Sequence, residues 1–136
     1  MSIKNLGIMG GGQLGSLLAV AAKKLNIKTT IYCDDIDAPA KNFSDQFIFG
    51  EYNDKKKILE FVNKVDVITY EFENIPYETL SEMNKLKSVF PKPSVNRLIQ
   101  HRLAEKDFIN KLNIRTTRYV WIEKISDIDA LEDFLP

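Results

Sequence analysis

One cysteine, one histidine and one tryptophan are all that this chain of 136 residues holds of those types, and it carries no net charge. A single cysteine, Cys33, excludes an internal disulfide and fits a reducing cytoplasm. It ends a strand-like pattern, where a small buried hydrophobe is expected. The one histidine, His101, has no cysteine or second histidine at ligand spacing, so no metal-binding pattern is present. Nineteen basic residues balance nineteen acidic ones, and no broad field draws the chain to nucleic acid or an anionic membrane. Lys55-Lys56-Lys57 opens a predicted helix and reads as a solvated face. No run is long and apolar enough to span a bilayer. Residues 6–22 are mostly apolar after Lys4, and Ala19-Val20-Ala21 imitates a signal-peptidase site. Three consecutive glycines, Gln13 and Ser16 break up the apolar core that such a signal needs. There is no nucleophile–base pair, no carboxylate pair placed for hydrolysis, and no repeat.

What is present suits one soluble globular domain. A chain of this length buries roughly two-thirds of its unfolded surface, and 44% hydrophobic with 28% charged residues is ordinary. The stretch that organises it is Gly10-Gly11-Gly12-Gln13-Leu14-Gly15, between an apolar run at 3–9 and an amphipathic segment beginning at Gln13. It reads as strand, tight turn and first helical turn. Glycine takes positive φ and lets a ligand approach the backbone. Unpaired amides and the helix dipole there favour an anion. Gly10-x-Gly12-x-x-Gly15 matches the dinucleotide fingerprint, and Asp34 or Asp35 could serve as its acidic partner. The turn alone leaves three readings open: a nicotinamide or flavin site, another phosphate ligand, or a structural turn.

The rest of the chain alternates strand and helix. Apolar residues Leu14, Leu17, Leu18, Ala21 and Leu25 form one helical stripe over 13–25. Strands are expected at 28–33 and 46–49, with a loop over 34–44 that has room for one helical turn. Asp54 caps a helix to about residue 64, with Ile58, Leu59 and Val62 inward. Residues 65–72 read as a central strand covered on both faces. A helix over 77–87 starts after Pro76, and a brief strand at 89–90 stops at Pro91-Lys92-Pro93. The order implies an α/β fold, a doubly wound parallel sheet with helices on both faces, over residues 1–93. In the extension over 94–136, Ser94 caps a short helix and a second helix covers 101–112. A strand at 118–122 holds Trp121, and Ser126-Asp127-Ile128-Asp129 resembles a capping box opening a helix over 127–134.

Two further stretches bear on function. Thr69-Tyr70-Glu71-Phe72-Glu73-Asn74-Ile75-Pro76 lies at the carboxyl end of the predicted fourth strand, beside the first, where doubly wound sheets bind ligands. Glu71 and Glu73 share one face while the chain stays extended, and would suit a ligand amine or ribose hydroxyls. The bland reading has Glu73 capping the next helix or pairing with a lysine. In Gln100-His101-Arg102-Leu103-Ala104-Glu105-Lys106, Arg102 and Lys106 are four apart on a helix with Glu105 beside them. A guanidinium fits phosphate oxygens, although a salt-bridged surface has the same spacing.

Taken together with Asp37-Ala38-Pro39-Ala40 and Asp66-Val67-Ile68, these stretches closely resemble, in order and spacing, the amino-terminal domain of the 5-(carboxyamino)imidazole ribonucleotide synthase (PurK) family. That family belongs to the ATP-grasp ligases of purine (IMP) biosynthesis. The resemblance covers essentially the whole chain and implies a Rossmann-like pre-ATP-grasp domain. It implies an enzyme that uses ATP and Mg2+ to activate bicarbonate, through carboxyphosphate, and carboxylates the amine of aminoimidazole ribonucleotide. By resemblance Gly12, Gln13 and Leu14 hold the ribonucleotide, Glu71 faces its amine or sugar with Glu73 as second choice, and Arg102 contacts ATP. Family members commonly have aspartate before that arginine; here it is His101. The resemblance puts no catalytic residue and no metal ligand in this chain. The nucleotide-binding lysine, magnesium carboxylates and bicarbonate site are expected in an ATP-grasp region after about Pro136. The chain is thus expected to be a fragment, inactive as a ligase by itself, cytoplasmic and compatible with a homodimer. A sibling domain, from the formate-using glycinamide ribonucleotide transformylase, would have glutamate at Gln13. Two readings of a different kind stay open: a nicotinamide- or flavin-binding oxidoreductase module, and a remnant that mainly dimerises.

Overall fold

Residues 3–128 and residue 131 are described by the computed structural model. Five short strands carry the fold: β1 (Asn5–Met9), β2 (Lys28–Cys33), β3 (Gln46–Phe49), β4 (Val67–Tyr70) and β5 (Val89–Phe90). All pair in parallel, in the order β3-β2-β1-β4-β5, with Met9 opposite both Tyr32 and Tyr70. This is the doubly wound sheet that the strand–helix alternation predicts. Strand order reverses at β1, so the crevice lies above its carboxyl end, where the glycines follow.

The two faces are filled differently. Successive side chains of a strand point to opposite sides. Met9, Tyr32 and Ile68 therefore meet Phe61 and Val62 of α2 (Lys55–Lys64) and Leu80 and Met83 of α3 (Tyr77–Leu86). Ile8 and Ile31 face the other way, toward Ala19 of α1 (Gln13–Lys24) and Ala38 and Ala40 around a single 3-10 turn, Pro39–Asn42. Large residues fill one side and small ones the other.

Local chemistry fixes the helix ends. Asp54 accepts from the N–H groups of Lys56 and Lys57 at 3.0 and 3.1 Å and caps α2. Asn26 takes a left-handed conformation, φ 57°, closing α1 with Ile27 N–H donating to the Ala22 carbonyl. Asp66 pins the amino end of β1, its Oδ2 accepting from the N–H groups of Lys4 and Asn5 at 2.8 and 2.9 Å. Those two donors hold the Asp66 carboxyl below its usual range.

Several expectations need correction. The leucine stripe of α1 is not its packing face: Leu14, Leu17 and Leu25 are 57, 60 and 71% exposed, while Gly15, Ser16, Ala19 and Ala22 are buried. The helix lies so close to the turn that a Cβ on Gly15 would sit 2.8 Å from the Gly10 carbonyl oxygen, and only small residues fit. On α2, Leu59 is exposed and Phe61 takes the inner place. Lys92 is the N-cap of α4 (Pro93–Ile99), with Pro93 in its first turn, so Ser94 does not cap it.

The first compact unit extends to Gln100. Buried Asn96 of α4 ties that helix to the loop after β4 through its bond to the Glu73 carbonyl.

The second unit begins at His101. In it α5 (Arg102–Lys111) is capped by His101, whose Nδ1 accepts from the Ala104 N–H at 3.3 Å. Residues 118–122 form no strand, and Ile125–Asp127 is a 3-10 turn. Asp127, not Ser126, accepts the local N–H groups, those of Glu123 and Lys124. Most of the helix expected over 127–134 lies outside the described residues. Among the described residues, no helix is long and apolar enough to cross a membrane.

Candidate functional site

The end of β1 turns sharply because Gly10 takes φ +107°, a conformation that side chains with a Cβ rarely adopt. Its N–H still donates to the Tyr32 carbonyl at 2.9 Å, so the turn is tied to the sheet. A Cβ at Gly10 would lie 2.6 Å from Glu71 Oε1, and one at Gly11 would meet Ala38 Cβ at 2.6 Å and Cys33 Sγ at 2.8 Å. Gly10 requires glycine through its φ, and Gly11 through the short, packed side chains of Ala38 and Cys33.

Glu71 reaches this turn from the neighbouring strand. Its N–H donates to the Met9 carbonyl at 3.1 Å, extending the β1–β4 pairing one residue past β4. Its Oε1 accepts from the Gly12 N–H at 3.0 Å. A carboxylate thus occupies the first amide of the α1 amino end. Gly12 offers no side chain to cap the others, and exposed Gln13 and Leu14 follow it in the first turn, where helical N–H groups have no intrahelical partner.

The chain is no longer extended at Glu73, so the two glutamates do not share a face. The Glu73 side chain is exposed, and its carbonyl is clamped by Asn96 Nδ2 at 2.8 Å and Gln100 Nε2 at 2.6 Å.

A cleft of about 260 Å³ opens here, lined by the three glycines, Cys33, Asp34, Tyr52, Glu71 and Phe72. A larger groove of about 350 Å³ runs between α2 and α3, bordered by Lys55, Ile58 and Glu82. It lies away from the switch point of the sheet, and the smaller cleft is the better candidate. Burial pushes the Cys33 thiol and the Tyr52 hydroxyl above their ordinary values, so both are neutral at pH 7. Asp34, one of two aspartates that the fingerprint allowed, lines the cleft, while Asp35 Oδ1 accepts from the Asp37 N–H in its own loop. Sequence reasoning passed over Tyr52 and Phe72. Both lie in loops after strands: Tyr52 had no mark in the sequence, and Phe72 was quoted in the Thr69–Pro76 stretch without a role.

Two carboxylates facing one cleft set its preference. A phosphate about 5 Å from the Glu71 carboxylate would meet a repulsion of about 3 kcal/mol per unit charge at an effective dielectric of about 20. The inner cleft therefore favours amine and hydroxyl donors, and an anion is better placed at the outer amides of Gln13 and Leu14.

In the second unit Arg102 is exposed and its Nη1 donates to Glu105 Oε2, while Lys106 Nζ donates to Thr117 Oγ1 at 3.0 Å. His101 stacks on Trp121 with ring centroids 5.5 Å apart. Among the described residues no group of three or more His, Cys, Asp or Glu is placed to hold a metal ion.

Known proteins share this sequence pattern and fold. The N5-carboxyaminoimidazole ribonucleotide synthase of Brucella melitensis is 38% identical over 111 residues, 82% of this chain and 31% of that protein. The crystal structure of the Staphylococcus aureus N5-carboxyaminoimidazole synthetase complexed with ADP superposes with a TM-score of 0.86 at 32% identity. It covers 95% of this chain and 35% of that one. The Aspergillus clavatus enzyme, crystallised with ADP and 5-aminoimidazole ribonucleotide, gives a TM-score of 0.81 at 26% identity, over 97% of this chain and 36% of that one. The chain thus spans about a third of the length of these relatives. Residues 3–100 match the family model for the ribonucleotide synthetase preATP-grasp domain, and the chain belongs to that family.

Proposed function

We propose that this chain is the ribonucleotide-binding part of an ATP-dependent ligase that carboxylates aminoimidazole ribonucleotide to 5-(carboxyamino)imidazole ribonucleotide in purine biosynthesis. The observation that carries the reading is the Glu71 carboxylate seated on the glycine turn. It presents an acceptor to a ligand amine or hydroxyl beside the outer amides of Gln13 and Leu14, which suit an anion. The whole reaction joins bicarbonate to the exocyclic amine at the expense of ATP. This chain's share is to hold that amine and keep the sugar phosphate in register. Arg102, exposed on α5, would contact ATP. Residues for the nucleotide phosphates, Mg2+ and bicarbonate fall to an ATP-grasp region outside these 136 residues.

Calorimetric titration with aminoimidazole ribonucleotide tests the reading. Glu71→Gln should weaken binding about tenfold or more, the loss expected when a charge-assisted hydrogen bond is removed. Glu73→Gln should change it less than about twofold, because the Glu73 side chain is exposed and does not line the cleft. Protection from thermal unfolding by NAD(H), with none by the ribonucleotide, would overturn the assignment. Ribonucleotide-dependent ATP turnover by this chain alone would refute the division of labour.

A further inference from the structure

We propose that Phe72 is the wall against which the flat five-membered ring of the ribonucleotide lies, making it a specificity-determining residue. This inference rests on the ribonucleotide reading above. An aromatic series leads from the core to the cleft: Phe61 packs edge-on against Tyr32 at 5.6 Å between centroids, Tyr32 against Tyr52 at 6.0 Å, and Tyr52 against Phe72 at 6.1 Å. Exposure rises along it, from 0% at Phe61 and Tyr32 through 8% at Tyr52 to 39% at Phe72. The last ring is thus backed by a fixed neighbour while part of its surface lines the cleft.

The backbone on both sides of Phe72 is held. Glu71 is bonded to β1, and the Glu73 carbonyl is clamped by Asn96 and Gln100. A half-exposed ring fixed in this way is pre-organised to stack. It directly follows the glutamate that faces a ligand amine, so a ring carrying that amine would lie against it. The glycine turn recognises sugar phosphate in general, whereas an aromatic surface favours a ligand with a π face. Stacking of a base on an aromatic side chain changes affinity roughly five- to 150-fold; a single five-membered ring belongs toward the lower end.

The test compares two ligands, aminoimidazole ribonucleotide and ribose 5-phosphate, titrated into this chain with Phe72 intact, as Phe72→Leu and as Phe72→Trp. Phe72→Leu should lose about tenfold for the aminoimidazole ligand and keep its affinity for ribose 5-phosphate, which also shows that the variant is folded. Phe72→Trp should retain both. Equal losses for the two ligands would overturn the inference and make Phe72 a support of the turn. Unchanged affinity for the aminoimidazole ligand in Phe72→Leu would overturn it as well. Failure of the unaltered chain to bind either ligand would instead sink the ribonucleotide reading, and this inference with it.

Discussion

Two regions of one chain hold themselves together by different means. In residues 3–100, Ile8, Met9, Ile31, Phe61, Ile68 and Leu80 are completely removed from solvent, on both faces of the sheet. From His101 onward none of the described residues is buried, and Leu112, Trp121 and Ile125 are 56, 50 and 84% exposed. That second region relies on polar pairs instead. Tyr119 donates to Asp107 and accepts from Asn110, and the Trp121 indole N–H donates to Glu123. The Asp107 contact raises the Tyr119 hydroxyl above its ordinary value. Exposed pairs of this kind contribute little, because solvent competes for both partners, whereas one buried side chain contributes about 1.5–3 kcal/mol. Among the described residues, similar apolar content is thus removed from water in the first region, where a sheet is covered on two faces, and left exposed in the second.

The sharpest way to break this contrast is to truncate one phenylalanine in each region. Phe61→Ala should cost about 3–5 kcal/mol in urea unfolding, and Phe108→Ala, 46% exposed, should stay within about 0.5 kcal/mol. Comparable losses at both sites would mean that the second region has a core of its own. Next in size is Gly10→Ala, where φ +107° and the crowding against Glu71 act together. We expect a loss of about 1–3 kcal/mol with weakened ribonucleotide binding; a variant as stable as the parent would show that the turn relaxes freely.

The smallest effect concerns Asp66. Its folded pKa is depressed by the Lys4 and Asn5 N–H groups. Its contribution is therefore complete above the unfolded value of about 3.9 and is lost as pH falls through the lower folded value. Asp66→Asn should be slightly less stable than the parent at pH 7, and the gap between the two urea midpoints should narrow toward pH 3. A gap that widens on acidification would remove the pinning role of that carboxylate.

Much of this was legible from local pattern. Apolar runs separated by a glycine turn, an Asp54 cap and Pro76 located the five strands and the helices of the first region, since such signals act within a few residues. Glu71 was legible as an acid at the switch point of a doubly wound sheet. Its bond to the Gly12 N–H was not, because that contact joins residues 59 apart. The stripe on α1 misled for a similar reason. Periodicity shows that leucines share a face, but the closeness of the helix to the glycine turn decides which face packs.

The residues at 118–122 have strand character and no strand partner among the described residues, and a ladder needs two sides. Phe72 stood within the quoted Thr69–Pro76 stretch without a role and Tyr52 gave no signal in one dimension, since such aromatics border one cleft only when the sheet brings them together.

In the first region the order of elements, the tight glycine turn after β1 and the Asp54 cap of α2 follow from the sequence by itself, through backbone sterics and nearest-neighbour hydrogen bonds. Tertiary structure alone decided which carboxylate meets the turn, which helix face is hidden and which rings border the cleft. Those outcomes depend on atoms distant in the chain competing for the same small volume.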